Sequence, residues 1–576
     1  MKITNVLHKR PGVLLKMFLL IVSVPYYSTA QIFPKKNYPR HYFMWPVLAQ
    51  PGIVANMGEL RPNHYHMGLD CRTNQKQNMP IVAAADGYIA RIKIEPFGFG
   101  RAIYINHPNG LTTLYAHLND FFPALEKYVT EQQYKLQQWG IFINIPSTLF
   151  PVKKGDFIAY SGNTGGSEGP HLHFEIRETD SDKNINPSLF NFPIPDTIPP
   201  VITRLALYNR HISTFEQVPQ FIPIKKQYGY YTTKDTVVKL TSSKISFAIT
   251  TADKNNLSTN LNGIYEAAIY ADDKLTCAFQ IDKIGYDETR YLNANIDYKL
   301  MKSGGGFVQH LSRLPGYQAG VYKHITGDGV LAFTDTLRHN IRIEVRDANG
   351  NLSSMCFEIK ADSLTDTKTM TANKANPLFH PASVNVFEKN SLLLYMPETC
   401  LYDSIRFRYA EAISNYSFSK YWLHDCNIPV HDYFKISIKA NETLAAKMMM
   451  VNTCNGKNNF TKAIFTNGWY SAWFRDFGSF QLMIDTLPPV ISPIGFNKKL
   501  DFTKATRIMF AVTDNTNEIK NVSASVEGNW LRFTNDKGRT FIYTFDEHFP
   551  TGSHELKITA EDTAGNKTEK IYCIIR

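Results

Sequence analysis

The sequence predicts a mainly β chain, in which a segment of short, turn-punctuated β runs with a helical insertion is followed by β-sandwich modules. Three observations carry that class. Residues 31–195 consist mostly of short apolar or alternating runs broken by turn residues. Asp196-Thr197-Ile198-Pro199-Pro200-Val201-Ile202 recurs as Asp485-Thr486-Leu487-Pro488-Pro489-Val490-Ile491. Ile343-Glu344-Val345-Arg346-Asp347-Ala348-Asn349-Gly350-Asn351 is likewise echoed by Ile558-Thr559-Ala560-Glu561-Asp562-Thr563-Ala564-Gly565-Asn566.

Residues 1–30 read as a removable leader. Lys2, Lys9 and Arg10 make a basic start, Val13 to Val24 is apolar apart from Lys16 and Ser23, and Ser28-Thr29-Ala30 offers a small-residue cleavage site. The chain is therefore expected to be exported, to the periplasm, the cell envelope or the exterior, with no transmembrane segment after cleavage. Residues 31–195 then supply strands at Ile81 to Ala85, Tyr88 to Ile92, Ala102 to Asn106 and Leu111 to Tyr115. Between Asn119 and Trp139 the pattern changes. Phe121, Leu125, Tyr128, Val129, Leu136 and Trp139 fall at helical spacing, predicting a helix of about five turns that ends at Gly140. It either walls a groove or caps an exposed core.

Paired prolines continue neither a ladder nor a helix, so both Pro-Pro segments read as stiff connections. They bound a β-sandwich over 196–365, a β domain over 366–484 whose type the sequence leaves open, and a second sandwich over 485–576. Both sandwiches end in an alternating strand, an Asn-Gly or Ala-Gly-Asn hairpin turn and one more strand, which resembles bacterial immunoglobulin-like modules. At roughly 150 residues per domain, 576 residues allow about four such units.

The formal charge is +11, and four of these charges (Lys2, Lys9, Arg10, Lys16) lie in the leader, which leaves +7. That balance suits anionic surroundings such as cell-wall polymer, and no basic run is dense enough for nucleic acid. Seven cysteines in a chain of this length are not a disulfide framework. One pair among Cys400, Cys426 and Cys454 is allowed, and Cys71 is expected as a small buried hydrophobe.

The chemistry concentrates in three short stretches. His171-Leu172-His173 closes the glycine-rich run Ser161-Gly162-Asn163-Thr164-Gly165-Gly166-Ser167-Glu168-Gly169-Pro170, and His66 and Asp70 precede it by about a hundred residues. On extended backbone, residues two or four apart share a face, so His171 and His173 point one way and Leu172 the other, and His66 and Asp70 are expected to share a side of one strand. Imidazole and carboxylate suit zinc, and three protein ligands leave a position open for water.

His66-Met67-Gly68-Leu69-Asp70, Tyr115-Ala116-His117-Leu118 and Gly169-Pro170-His171-Leu172-His173-Phe174-Glu175 together closely resemble the lysostaphin/LytM-type zinc endopeptidases, which cut peptide bonds in bacterial peptidoglycan. The resemblance covers roughly residues 45–190. It implies a compact antiparallel β peptidase domain with a groove, one Zn2+ ion on His66, Asp70 and His173, and His117 and His171 as the catalytic pair. His171 is placed to accept a proton from water, and His117 to stabilise the oxyanion or hold the water; the reverse assignment stays open. Two departures stand out: Glu168 replaces the usual small hydroxyl residue, and the insertion after His117 is larger than the minimal pattern. His64 and His107 read as supporting or surface groups and Glu175 as structural. His554-Glu555 has no histidine three residues on, so the helical zincin motif is absent.

The expected function is a secreted zinc metalloendopeptidase acting on peptidoglycan stem peptides, with β modules open to other envelope polymers or proteins. The alternative is a non-enzymatic envelope scaffold or regulator of other cell-wall hydrolases. All five site residues are present, which favours the enzyme. A third reading makes the β modules an adhesin, but Trp469, Tyr470 and Trp473 read better as core than as a sugar platform.

Overall fold

The computed structural model describes residues 38–576 apart from 257, 363–375, 414–417, 442–443, 496–499 and 539, together with 32, 33 and 37. The expected leader lies outside the described residues. No described helix is long and apolar enough to cross a membrane.

The first domain contains β1 (Ile53–Ala55), β2 (Leu69–Arg72), β3 (Gly87–Ile94), β4 (Arg101–Asn106) and β5 (Leu111–Ala116). α1 (Pro123–Leu136), β6 (Ile141–Asn144) and β7 (His171–Glu178) follow. The strands form one antiparallel sheet in the order β1-β2-β7-β5-β4-β3-β6. Strand β7 lies between β2 and β5 and is buried continuously from Leu172 to Arg177. A smaller sheet of Pro80–Val82, Phe157–Ser161 and Leu118–Phe121 accompanies it. Leu69, Cys71, Ile103, Tyr115, Leu172, Phe174 and Ile158 fill the core of this domain. The inward side of β2 and β7 is thus apolar, which turns Asp70, His171 and His173 to the other side.

The helix is shorter than its periodicity implied. Leu118–Phe121 joins the smaller sheet, with Phe121 opposite Ala159, so the helix starts only at Pro123. Proline suits a first helical position because its missing N–H would have had no partner there. Gln137 ends the helix in a left-handed conformation (φ 50°). Leu125 and Val129 enter the core while Tyr134 faces outward, so the helix caps the domain.

Beyond Pro195 the chain is almost wholly β. Val201–Asn209 pairs with Lys244–Ala252, and Val490–Pro493 with Arg507–Thr513, so each Pro-Pro connection feeds directly into the first ladder of a module. The segment left open by the sequence forms two five-stranded antiparallel sheets. There Cys426 and Cys454 are joined across 28 residues, and Cys400 is free and buried. A cross-link closing a loop of that size restricts the unfolded chain. The Cys426→Ser/Cys454→Ser double variant is expected to lower stability by about 2–4 kcal/mol in a denaturant melt. Of the three aromatics considered above, Tyr470 is core, whereas Trp473 is 48 % exposed.

The first domain and its successor share apolar contacts. Met57, Tyr65 and Met67 are buried in the same cluster as Phe279, Ile281 and Ile284. Polar contacts reinforce the junction: the Tyr65 amide donates to Thr289 Oγ1 at 2.9 Å, and Asn56 exchanges two hydrogen bonds with the Gly263 backbone.

Candidate active site

Register places the site. His173 on β7 stands opposite Asp70 on β2 and opposite Ala116 on β5. Cross-strand neighbours of this kind share a face, so His173 and Asp70 meet without any loop rearrangement. His117 follows Ala116 with φ 60°, a left-handed conformation uncommon for a residue with a side chain, at the point where β5 ends. His66 reaches the site differently from the expectation. It lies after the short strand His64–Tyr65 and not on one strand with Asp70; residues 66–68 turn before β2 begins. The turn passes so close to β7 that a Cβ on Gly68 would sit 2.5 Å from the Phe174 carbonyl oxygen.

Three donor atoms converge. His66 Nε2 lies 2.9 Å from Asp70 Oδ1, His173 Nδ1 lies 2.9 Å from the same oxygen, and the two nitrogens are 3.0 Å apart. All three residues are buried. Each imidazole is held from behind: His66 Nδ1 donates to the Asn56 carbonyl at 2.8 Å, and His173 Nε2 donates to Glu175 Oε1 at 2.9 Å. These bonds fix the tautomers, leaving His66 Nε2 and His173 Nδ1 as the atoms facing Asp70. Arg61 donates to the outer oxygen of Asp70 at 2.8 Å.

The charges follow from these contacts. Burial opposes ionisation of Asp70, but His66, His171 and His173 outweigh it and hold the carboxyl well below its usual range. Burial likewise lowers His173, yet its bonds to Asp70 and Glu175 prevail and raise it to about 9. A cation held by the same three groups would compete with the His173 proton. His66 is lowered, mainly by burial.

His117 and His171 flank the triangle, their ring centroids 4.8 Å apart, and the His171 Nε2 atom is 3.4 Å from Asp70 Oδ1. Both donate through Nδ1 to backbone carbonyls, His117 to Thr164 and His171 to Gly169, each at 2.8 Å. With Nδ1 so committed, Nε2 is the nitrogen that each ring, when neutral, offers as an acceptor. Burial, then the neighbouring imidazoles, lowers His117 to about 3, so it is neutral at any physiological pH.

All five residues singled out in the sequence are brought together, while Glu168 is exposed. His64 is at the surface; His107 is instead buried, bonded to the Asp86 carbonyl and Thr113. Further contributors were not foreseen in this role. Glu175 is fully buried behind His173, held by Arg177 at 2.6 Å and by the Tyr286 hydroxyl at 2.5 Å. Burial and the Glu175 charge keep the Tyr286 phenol far above its ordinary range, so it stays a donor. Tyr286 comes from the following module. The last module reaches the other side of the site: Asp536 accepts from the Gly165 amide at 2.8 Å, and Lys537 donates to the Ser167 carbonyl at 2.7 Å. It also grips the helix, Tyr134 donating to Asp546 at 2.7 Å.

An antiparallel β domain carrying a buried His/Asp/His triangle and two flanking imidazoles defines a metallopeptidase-type site. In comparisons with known proteins, residues 64–134 and 150–187 match peptidase family M23, and residues 494–573 match a bacterial Ig-like domain. Residues 376–485, the part left open by the sequence, match a Zu5-like domain. The chain therefore carries a family M23 peptidase domain and a bacterial Ig-like domain.

Among its relatives, the DD-carboxypeptidase/endopeptidase Mpg of Neisseria meningitidis serogroup B is 34% identical over 131 residues, 23% of this chain and 24% of that protein. The cell division protein DipM of Caulobacter vibrioides is 28% identical over 151 residues, 26% of this chain and 20% of that protein. The chain thus spans about a quarter of the length of the curated relatives it matches. The catalytic domain of lysostaphin from Staphylococcus simulans is 22% identical, with a TM-score of 0.18, covering 24% of this chain and 88% of that one.

Proposed function

We propose that this protein is an exported zinc endopeptidase that hydrolyses peptide bonds in peptidoglycan stem peptides. The observation that supports it most is the donor triangle: two imidazole nitrogens and a carboxylate oxygen 2.9–3.0 Å apart, each imidazole oriented by a bond on its far side. Borderline-soft nitrogen plus one carboxylate is a zinc-type set, and three ligands leave a reactive position open. His66, Asp70 and His173 would hold the ion. When bound, zinc supplies a Lewis acid that acidifies water and polarises a carbonyl.

The rest belongs to the chain. His171, whose Nδ1–H is committed to Gly169, offers Nε2 to take the proton of the attacking water and return it to the leaving amine. His117 is kept neutral by burial and by the neighbouring imidazoles, and its bond to Thr164 fixes the tautomer, so its Nε2 accepts a hydrogen bond and orients that water. A neutral imidazole in this tautomer has no proton to give an oxyanion, which favours water-holding of the two roles considered for it. The positive chain suits an anionic wall polymer.

The test is digestion of defined muropeptides by the zinc-loaded chain, with fragments identified by mass spectrometry. Cleavage of a stem-peptide amide, stopped by chelator and restored by zinc, is the expected result. Binding of muropeptides without any cleavage would replace the enzyme by the scaffold reading.

A further inference from the structure

Two further groups of converging carboxylates lie in the Ig-like modules, far in sequence from the peptidase motifs. Asp196, Asp253 and Asp347 each bring one oxygen to within 4.8 Å of the other two, and Asp485, Asp514 and Asp562 do the same. The two groups occupy equivalent places. Asp196 and Asp485 open the Pro-Pro connections, and Asp347 and Asp562 enter the Gly-Asn hairpins. Asp253 and Asp514 directly follow the strands Lys244–Ala252 and Arg507–Thr513, which pair with the connections.

The acids do not account for one another. Asp253 is 4 % exposed and its Oδ1 has no hydrogen-bond partner; Asp485 is 1 % exposed and its Oδ2 has none. Burial, then the charges of Asp347 and Asp196, pushes Asp253 up to about 8, and only the Lys254 amide opposes this. Asn262 adds an independent observation. It is joined to Asp253 by a β-bridge, which puts both side chains on one face, and its buried Oδ1 is also without a partner. Three converging carboxylates with an unpartnered amide oxygen on the face of one of them form a set that a positive charge would satisfy. Every donor is oxygen, so the match is a hard cation and not zinc.

We propose that each Ig-like module binds one hard divalent cation, calcium or magnesium, at its entrance. The ion ties the Pro-Pro connection to the closing hairpin. It would work with the bonds already present there, Asn351 Nδ2 to the Asp196 carbonyl and Asn566 Nδ2 to the Asp485 carbonyl.

Equilibrium dialysis of the zinc-loaded full chain against labelled calcium, up to about 10 mM for sites of the extracellular type, tests this, with magnesium as competitor. Two ions per chain are expected, one in either Asp253→Asn or Asp485→Asn, and none in the double variant. At saturation the modules should melt about 5–10 °C higher. In chelator the sign reverses, and Asp253→Asn should be at least as stable as the native chain, because the amide replaces a carboxyl whose ionised form burial beside Asp347 and Asp196 already disfavours. Magnesium displacing calcium would identify the ion without harming the proposal. No uptake of either ion, or two ions retained by the double variant, would overturn it.

Discussion

Replacing His173 by alanine is expected to remove zinc from the chain and to lower muropeptide cleavage by about 10³-fold or more. His173 supplies one corner of the triangle and is also the link from that triangle to Glu175. Its loss leaves two ligands and takes one of three side-chain partners from the buried Glu175 carboxylate. Outer groups that orient a metal-bound imidazole typically contribute 10–100-fold, and a ligand itself contributes more. Two comparisons separate chemistry from folding. His171→Ala should retain zinc yet lose about 10²–10⁴-fold in kcat, the usual range for a general base. Tyr286→Phe should keep both zinc and fold but weaken zinc binding by up to about tenfold, because Glu175 loses a donor at 2.5 Å. Zinc content by elemental analysis beside initial rates reads all three. Native-like rates in zinc-free His173→Ala would contradict the assignment.

Excising residues 31–195 is expected to abolish zinc binding and activity, although all five site residues lie within that stretch. Tyr65 and Met67 flank His66 and are buried in a cluster dominated by the next module, together with Met57. Exposing three such side chains costs about 1.5–3 kcal/mol each. That is a large part of the 5–15 kcal/mol that holds a typical domain. The segment around His66 is then the first to loosen. Residues 31–485, which keep Tyr286, Thr289 and the whole of that cluster, should recover zinc and cooperative melting. A 31–195 fragment that binds zinc as tightly as the full chain would show that the modules are mere attachments.

What was legible in the sequence and what was not follows from the range over which each contact acts. His171, Leu172 and His173 alternate on one strand, so period two alone separates core from site, and Leu172 does enter the core. Asp70 is found because β2 is extended with Cys71 pointing inward. Glu175 stands two residues beyond His173 on the same face, so strand periodicity already placed it beside the ligand. What it lacked was a reason for burial, which Arg177 supplies. Tyr286 left no local signal, since it meets Glu175 from 111 residues away. The same holds for the contacts of Asp536 and Lys537 with the glycine-rich loop. The helix was placed correctly but drawn too long, because Leu118–Phe121 has the apolar spacing of a helix and the pairing partners of a strand. His66 was reached by a turn where a continuous strand was expected, and only the close approach at Gly68 betrays it.

X-ray absorption at the zinc edge on the full chain, repeated on Asp70→Ala, addresses the central assignment most directly. The expected spectrum of the native chain is one zinc with two imidazole nitrogens at about 2.0–2.1 Å and light oxygen ligands completing the shell, and the variant should lose the ion. A zinc signal with sulfur in its shell, or one unchanged in Asp70→Ala, would place the metal elsewhere and contradict the assignment.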